Sequence, residues 1–148
     1  MIFITVGSTA FDPLIKQVDE ISTDMKEEII CQIADGKYIP KNCQYFRYKL
    51  DLEKEYSDAD LVICHGGAGT LFNLMKLNKK VIAVPNLVRK DKHQTDLIDA
   101  LSGENYIIVC YDLSELRAKM LDSKKVRLDA YKSPECRITQ EIVKFIGE

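Results

Sequence analysis

The chain has 148 residues, of which 30% are charged and 46% apolar, and a formal net charge of -2. This length suits one domain that buries roughly two-thirds of its unfolded surface without disulfides or metal. The near-balanced charge gives no sign of a basic nucleic-acid-binding surface.

The opening run Met1-Ile2-Phe3-Ile4-Thr5-Val6-Gly7 is too short for a bilayer span and lacks the charged start and cleavage site of a signal peptide. A cytoplasmic protein is expected. Residues 2–6 predict a first strand, and Gly7, Ser8 and Thr9 a small turn after it. A helix follows, with Leu14, Ile15, Val18, Ile21 and Met25 on one face, Asp12 as N-cap and Pro13 at the first helical position.

Strands are predicted next over 29–34 and 43–48, joined by only about eight residues, 35–42. A parallel crossover ordinarily takes a dozen or more, so either this joint is irregular or the second strand is misplaced. A fourth strand spans 60–64 and leads into a helix over 71–77 that ends near Asn78. A fifth strand covers 80–84, a helix 95–101 is closed by Gly103, and a sixth strand covers 106–110. The stretch 113–121 precedes a basic, polar segment. A last helix, 134–147, carries Ile138, Ile142, Val143 and Ile146 and either docks on the domain or contacts a partner. Alternating strands and helices predict an α/β fold, a Rossmann-like open parallel sheet with helices on both faces, in one domain over 1–148. Five cysteines, Cys31, Cys43, Cys64, Cys110 and Cys136, are scattered without a Cys-x-x-Cys pair and read as reduced core thiols.

The most informative segment is Cys64-His65-Gly66-Gly67-Ala68-Gly69-Thr70, between the fourth strand and its helix. Glycines let backbone approach a ligand closely, and the free N–H groups of a helix N-terminus attract phosphate. The dinucleotide pattern Gly-x-Gly-x-x-Gly fails, because Phe72 stands where the third glycine belongs. No Gly-x-x-x-x-Gly-Lys-Ser/Thr motif is present either. The loop also follows the fourth strand, whereas a dinucleotide loop ordinarily follows the first.

His65-x-Gly67-x-x-Thr70-x-x-Asn73, then Pro85 and His93-Gln94, is similar to the nucleotide-sugar signature of GT-B glycosyltransferases. With Thr5-Val6-Gly7-Ser8-Thr9 and Phe11-Asp12-x-Leu14-Ile15 at the start, the chain resembles the glycosyltransferase family 28 C-terminal domain over about residues 2–109. The nearest group is the small catalytic subunit of two-part UDP-sugar transferases, in dolichol-linked glycan assembly and bacterial exopolysaccharide synthesis. The resemblance implies the C-terminal, donor-binding half of a GT-B enzyme. It makes His65, Gly66, Gly67, Ala68, Gly69 and Thr70 a diphosphate cradle, with Gly7, Ser8 and Thr9 facing the same cleft. It assigns Asn73, His93 and Gln94 to the ribose and sugar. Arg89, Lys90 and Lys92 lie beside the His-Gln pair, and at most one of them is expected to help with the diphosphate charge. Asn73 departs from the family's Glu or Asp, so one uncharged oxygen replaces a carboxylate.

The implied reaction transfers a hexose or N-acetylhexosamine from a UDP-sugar, a substrate rather than a cofactor. No metal is expected, because a helix N-terminus, His65 and Thr70 can hold the departing diphosphate. No catalytic residue is assigned on this chain. Both its histidines take donor-side roles, and GT-B enzymes place the base on the other half. A membrane-anchored partner carrying a lipid-linked acceptor is therefore expected, with this chain peripheral at the inner face of the membrane and no nucleic acid bound. A non-catalytic nucleotide-binding or scaffold subunit is the alternative.

Overall fold

The computed structural model describes residues 1–86 and 92–131, with the side chains of residues 92–94 excepted. Six strands form one sheet, and all of them run parallel: β1 (Ile2–Thr5), β2 (Ile29–Gln32), β3 (Gln44–Phe46), β4 (Leu61–Cys64), β5 (Val81–Ala83) and β6 (Ile108–Val109). Their order is β3-β2-β1-β4-β5-β6. The helices are α1 (Asp12–Ser22), α2 (Glu53–Asp58), α3 (Ala68–Lys76), α4 (Lys92–Gly103) and α5 (Leu116–Asp122), with a single 3₁₀ turn (Leu113–Glu115) before α5.

Alternation along each strand decides which helix covers which face. Ile2, Ile4, Leu61 and Ile63 join Leu14, Ile15, Val18, Leu116 and Met120 in one core layer under α1 and α5. Phe3, Val62 and Cys64 point the other way, packing with Tyr56, Leu71, Leu74, Leu97, Ile98 and Leu101 of α2, α3 and α4. Both faces are covered, which is why β1 and β4 read as unbroken apolar runs.

All six predicted strands are present, each trimmed at one end or both. Three expectations at element ends are corrected. Phe11, not Asp12, is the N-cap of α1: its carbonyl accepts from the N–H groups of Leu14 and Ile15, and Asp12 is the first helical residue. The Asp12 carboxylate instead accepts from the Lys37 N–H at 3.2 Å. Gly103 stays inside the last turn of α4, and Asn105 takes the left-handed conformation (φ 62) that closes it. The stretch 113–121 divides into the 3₁₀ turn and α5, with the Asp112 side chain accepting from the Ser114 N–H at 2.9 Å. Asn78, also left-handed (φ 55), ends α3 as expected. The predicted last helix, 134–147, lies outside the described residues.

The short joint between β2 and β3 is irregular, and the second strand is correctly placed. Residues 33–43 cross back without a helix of their own, held down by a carboxylate on α1. Asp19, 1% exposed, accepts from the Asn42 N–H at 2.7 Å, the Lys41 N–H at 3.0 Å and the Tyr38 hydroxyl at 2.7 Å. Burial pushes the Asp19 carboxyl up, but these hydrogen bonds, led by the Lys41 N–H, outweigh it and hold the group below its ordinary 3.8.

Because the folded value is depressed, this contribution is complete above pH 3.8 and is lost as pH falls through that range. Asp19→Asn should cost about 2–3 kcal/mol at neutral pH, since several donors lose a charged acceptor. Urea melts from pH 7 down to pH 3 should show the gap between wild type and variant closing in acid. A constant gap would mean that the charge of Asp19 contributes nothing.

Candidate functional site

The strand order makes β4 the second neighbour of β1. The chain moves outward from β1 to β2 and β3, then returns to pair β4 on the free side of β1. The crevice at such a reversal, outside the carboxyl ends of the strands, is where open α/β sheets bind ligands. Two turns border it: residues 7–9 after β1 and residues 65–67 after β4. The glycine loop's position behind the fourth strand is therefore no anomaly.

The His65 ring lies between the two turns. A Cβ at Gly7 would come within 2.7 Å of its Cε1, and one at Gly67 within 2.5 Å of its Nε2. Gly7 also has φ 71, and Gly66 has φ 89. Only glycine at these places lets both backbones touch the imidazole. The His65 N–H donates to the Thr5 carbonyl at 3.3 Å, extending the β1–β4 ladder one residue into the turn.

Behind His65, α3 starts at Ala68 with Gly67 as N-cap and no side chain capping it. The N–H groups of Ala68, Gly69 and Thr70 precede the first intrahelical donor, Leu71, whose N–H bonds to the Gly67 carbonyl at 2.9 Å. A Cβ at Gly69 would meet nothing within 4 Å, so this helix end opens on free space. A half-buried imidazole, three N–H donors and a helix dipole make a site for an anion.

The β1 turn is held by a residue that sequence reasoning did not single out. Gln32, at the end of β2 and 3% exposed, accepts at Oε1 from the Thr5 hydroxyl (2.7 Å), the Val6 N–H (3.0 Å) and the Gly7 N–H (3.1 Å). Its Nε2 donates to the carbonyls of Gly7 (3.0 Å) and Arg47 (2.9 Å). One buried amide thus locks the turns after β1 and β3 together. The only signal for it was a polar residue closing an apolar strand.

Beside the anion site is a cavity of about 180 Å³ lined by Thr5, Gly7, Ser8, Gln32, Tyr48, Lys49, Leu52, Tyr56 and Thr70. The predicted residues Gly7, Ser8 and Thr70 meet here. Tyr56 brings a phenol against the hydroxyls of Thr70 and Thr5; burial above all pushes its pKa up, and those two hydrogen bonds oppose the shift. Lys49 lies 4.4 Å from the centre of the Phe46 ring and pairs with the buried Glu55 carboxylate. The sequence reading missed Tyr56 because α2, six residues long, is too short to show a helical period, and Tyr48, Lys49 and Leu52 because they lie in the segment between β3 and α2, which has no period of its own.

Asn73 lies one turn beyond Thr70 on α3, exposed and outside the cavity lining. His93 and Gln94 stand in the first turn of α4, and Lys92 begins that helix. Arg89 and Lys90 lie outside the described residues. Asp58, Ala59 and Asp60 sit at the opposite, amino end of β4. There Asp60 pairs with the Met1 ammonium at 2.7 Å.

Residues 1–146 match the glycosyltransferase family 28 C-terminal domain. The chain belongs to this family. The human UDP-N-acetylglucosamine transferase subunit ALG13 is 32% identical over 122 residues, which is 74% of this chain and 11% of the human protein. Among solved structures, MurG from Acinetobacter baumannii superposes with a TM-score of 0.70 at 22% identity, over 99% of this chain and 49% of MurG. An NMR structure of ALG13 superposes with a TM-score of 0.67 at 18% identity, over 99% of this chain and 96% of that one. At these identities the structures establish the fold, the Rossmann-like C-terminal half of GT-B transferases.

Within this family 28 domain, two glycines of the site loops differ in what they tolerate. Gly7→Ala should destabilise by about 1–3 kcal/mol, through a left-handed φ and a collision with the His65 ring. Gly69→Ala, facing open space, should be neutral or gain up to about 1 kcal/mol. Chemical denaturation of both variants checks this; equal effects would mean that His65 moves aside at no cost.

Proposed function

We propose that this chain is the donor-binding catalytic subunit of a two-component inverting glycosyltransferase. It takes a UDP-sugar and transfers its hexose or N-acetylhexosamine to a lipid-linked acceptor presented by a membrane-anchored partner. The observation that carries this reading is the enclosure of His65 between Gly7 and Gly67 at the open N-terminus of α3.

In this reading the diphosphate lies on the N–H groups of Ala68, Gly69 and Thr70, with His65 and the Thr70 hydroxyl as side-chain donors. As the sugar departs, charge builds on the β-phosphate, where the helix dipole stabilises it without a metal. The cavity beside Thr70, at 180 Å³, is smaller than the roughly 300–1,000 Å³ of a complete ligand pocket. It therefore takes one part of the donor. Tyr48, 53% exposed, offers aromatic surface for the nucleobase, which leaves the sugar toward β5 and the first turn of α4, where His93 and Gln94 stand.

The base that deprotonates the acceptor comes from the partner. One fact supports the division: the human relative is named as a transferase subunit. That relative's name also favours N-acetylglucosamine as the sugar. The proposal places the membrane anchor on the partner; among the described residues of this chain no helix is long and apolar enough to cross a membrane. The second reading, a non-catalytic nucleotide-binding subunit, draws on Asn73, which is exposed and uncharged where the family carries a carboxylate.

Calorimetric titration with UDP, GDP, NAD and UDP-sugars should show selective UDP binding. His65→Ala should weaken it roughly tenfold, the loss of one charge-assisted hydrogen bond of ~1.4 kcal/mol. Tyr48→Ala should weaken UDP about fivefold, consistent with a base stacking worth ~1 kcal/mol, while leaving inorganic pyrophosphate affinity unchanged. Sugar transfer on co-expression with the membrane partner, and none by either protein alone, supports the catalytic reading. UDP binding without transfer by the pair would favour the scaffold.

A further inference from the structure

Two thiols meet beneath the crossover between β2 and β3. Cys31 is fully buried in the middle of β2, and Cys43, half-buried, occupies the bend just before β3. Their Sγ atoms are 3.6 Å apart, in van der Waals contact and within hydrogen-bonding reach. Cys43 Sγ in turn lies 3.7 Å from Asp19 Oδ1 and donates to it. The ladder pairs Cys31 with Tyr45 and begins on β3 at Gln44, so no strand pairing holds Cys43 in place.

We propose that Cys31 and Cys43 form a redox-reversible disulfide, a modification site whose state reaches the donor turn through Gln32. The oxidant is a peroxide or glutathione disulfide. With hydrogen peroxide, the Cys43 thiolate attacks one oxygen, and hydroxide leaves to yield a sulfenic acid. Cys31 sulfur then attacks the Cys43 sulfur and expels the second hydroxide. The two thiol protons and the two hydroxides leave as two waters, and the pair has lost two electrons. A dithiol reverses the step by taking over the sulfur–sulfur bond.

The surroundings suit such an exchange. Cys43 is the less buried and therefore the attacking partner. The hydrogen bond from Cys31 lowers its pKa, outweighing burial and the Asp19 carboxylate, which raise it, while that same bond, ahead of burial, raises the pKa of Cys31. Bond formation must bring sulfurs now 3.6 Å apart to about 2.05 Å, and the unpaired bend at Cys43 is the part able to move. That movement takes Cys43 away from Asp19, which also anchors Lys41 and Asn42. On the other strand, the residue next to Cys31 is Gln32, whose amide fixes the Gly7 turn.

The test equilibrates the full chain in graded mixtures of reduced and oxidised glutathione, blocks free thiols and digests with trypsin. Cleavage after Lys37 and Lys41 separates the two cysteines, so a disulfide appears as peptide 27–37 joined to peptide 42–47, and dithiothreitol releases it. The joined pair is expected, and it should be absent from Cys43→Ser. Glutathione attached to Cys43 alone, or both thiols still alkylated at the most oxidising ratio, would overturn the proposal. The second readout, UDP affinity of the oxidised and reduced forms, rests on the donor-site reading above; a change of threefold or more is expected. A joined peptide with unchanged UDP affinity overturns the link through Gln32. Absence of UDP binding in the reduced protein counts against the donor-site reading, leaving the peptide result to stand by itself.

Discussion

Parallel pairing of β1 on both of its sides is the constraint on which the rest depends. β2 holds one edge of β1 and β4 the other, and every strand runs the same way. The carboxyl ends therefore open on a single side of the sheet. Residues far apart in sequence, the turn at Gly7 and the loop at His65, become neighbours there with no strand between them. Helices can reach parallel strands only by crossing a face, so α1 covers one side and α3 the other, and a crevice is left where they part.

Within that crevice the anion site is held in place before any ligand arrives. A buried amide is costly unless its groups are paired, and Gln32 uses both ends of its side chain on the backbone of the turns after β1 and β3. The β1 turn cannot drift, so Gly7 stays against the imidazole of His65. Gly67 closes on the ring from the other loop, and the first N–H groups of α3 follow directly behind. The chemistry available is electrostatic: fixed donors at a helix end, facing open space at Gly69.

The crossover between β2 and β3 meets the same geometrical demand by another device. Eleven residues or so leave no room for a helix. The loop's own N–H groups must find other acceptors, and Asp19 on α1 supplies them from a nearly dry position. A carboxylate on one element thus does the work of a helix on the next. The thiol contact between Cys31 and Cys43 lies in that same compressed joint, which is why two cysteines far from the anion site bear on Gln32.

Much of this architecture was legible in the amino-acid sequence. Six apolar runs located the six strands, most plainly β1, β4 and β5, which are buried on both faces and carry little else, and the glycine loop before an amphipathic stretch located the N-terminus of α3. Residue types determined the anion chemistry as well: only glycine fits beside His65. What the sequence did not reveal depends on contacts between distant residues. Asp12 reads as an N-cap until Lys37 is seen to take its carboxylate, and Asp19 reads as an ordinary helix acid until the crossover folds over it. Gln32, Tyr48 and Tyr56 have no local pattern to mark them, since a side chain's role in a shared cavity is settled by its neighbours in space. Local periodicity and composition thus determined the elements, while strand order, a property of the whole sheet, decided which loops meet.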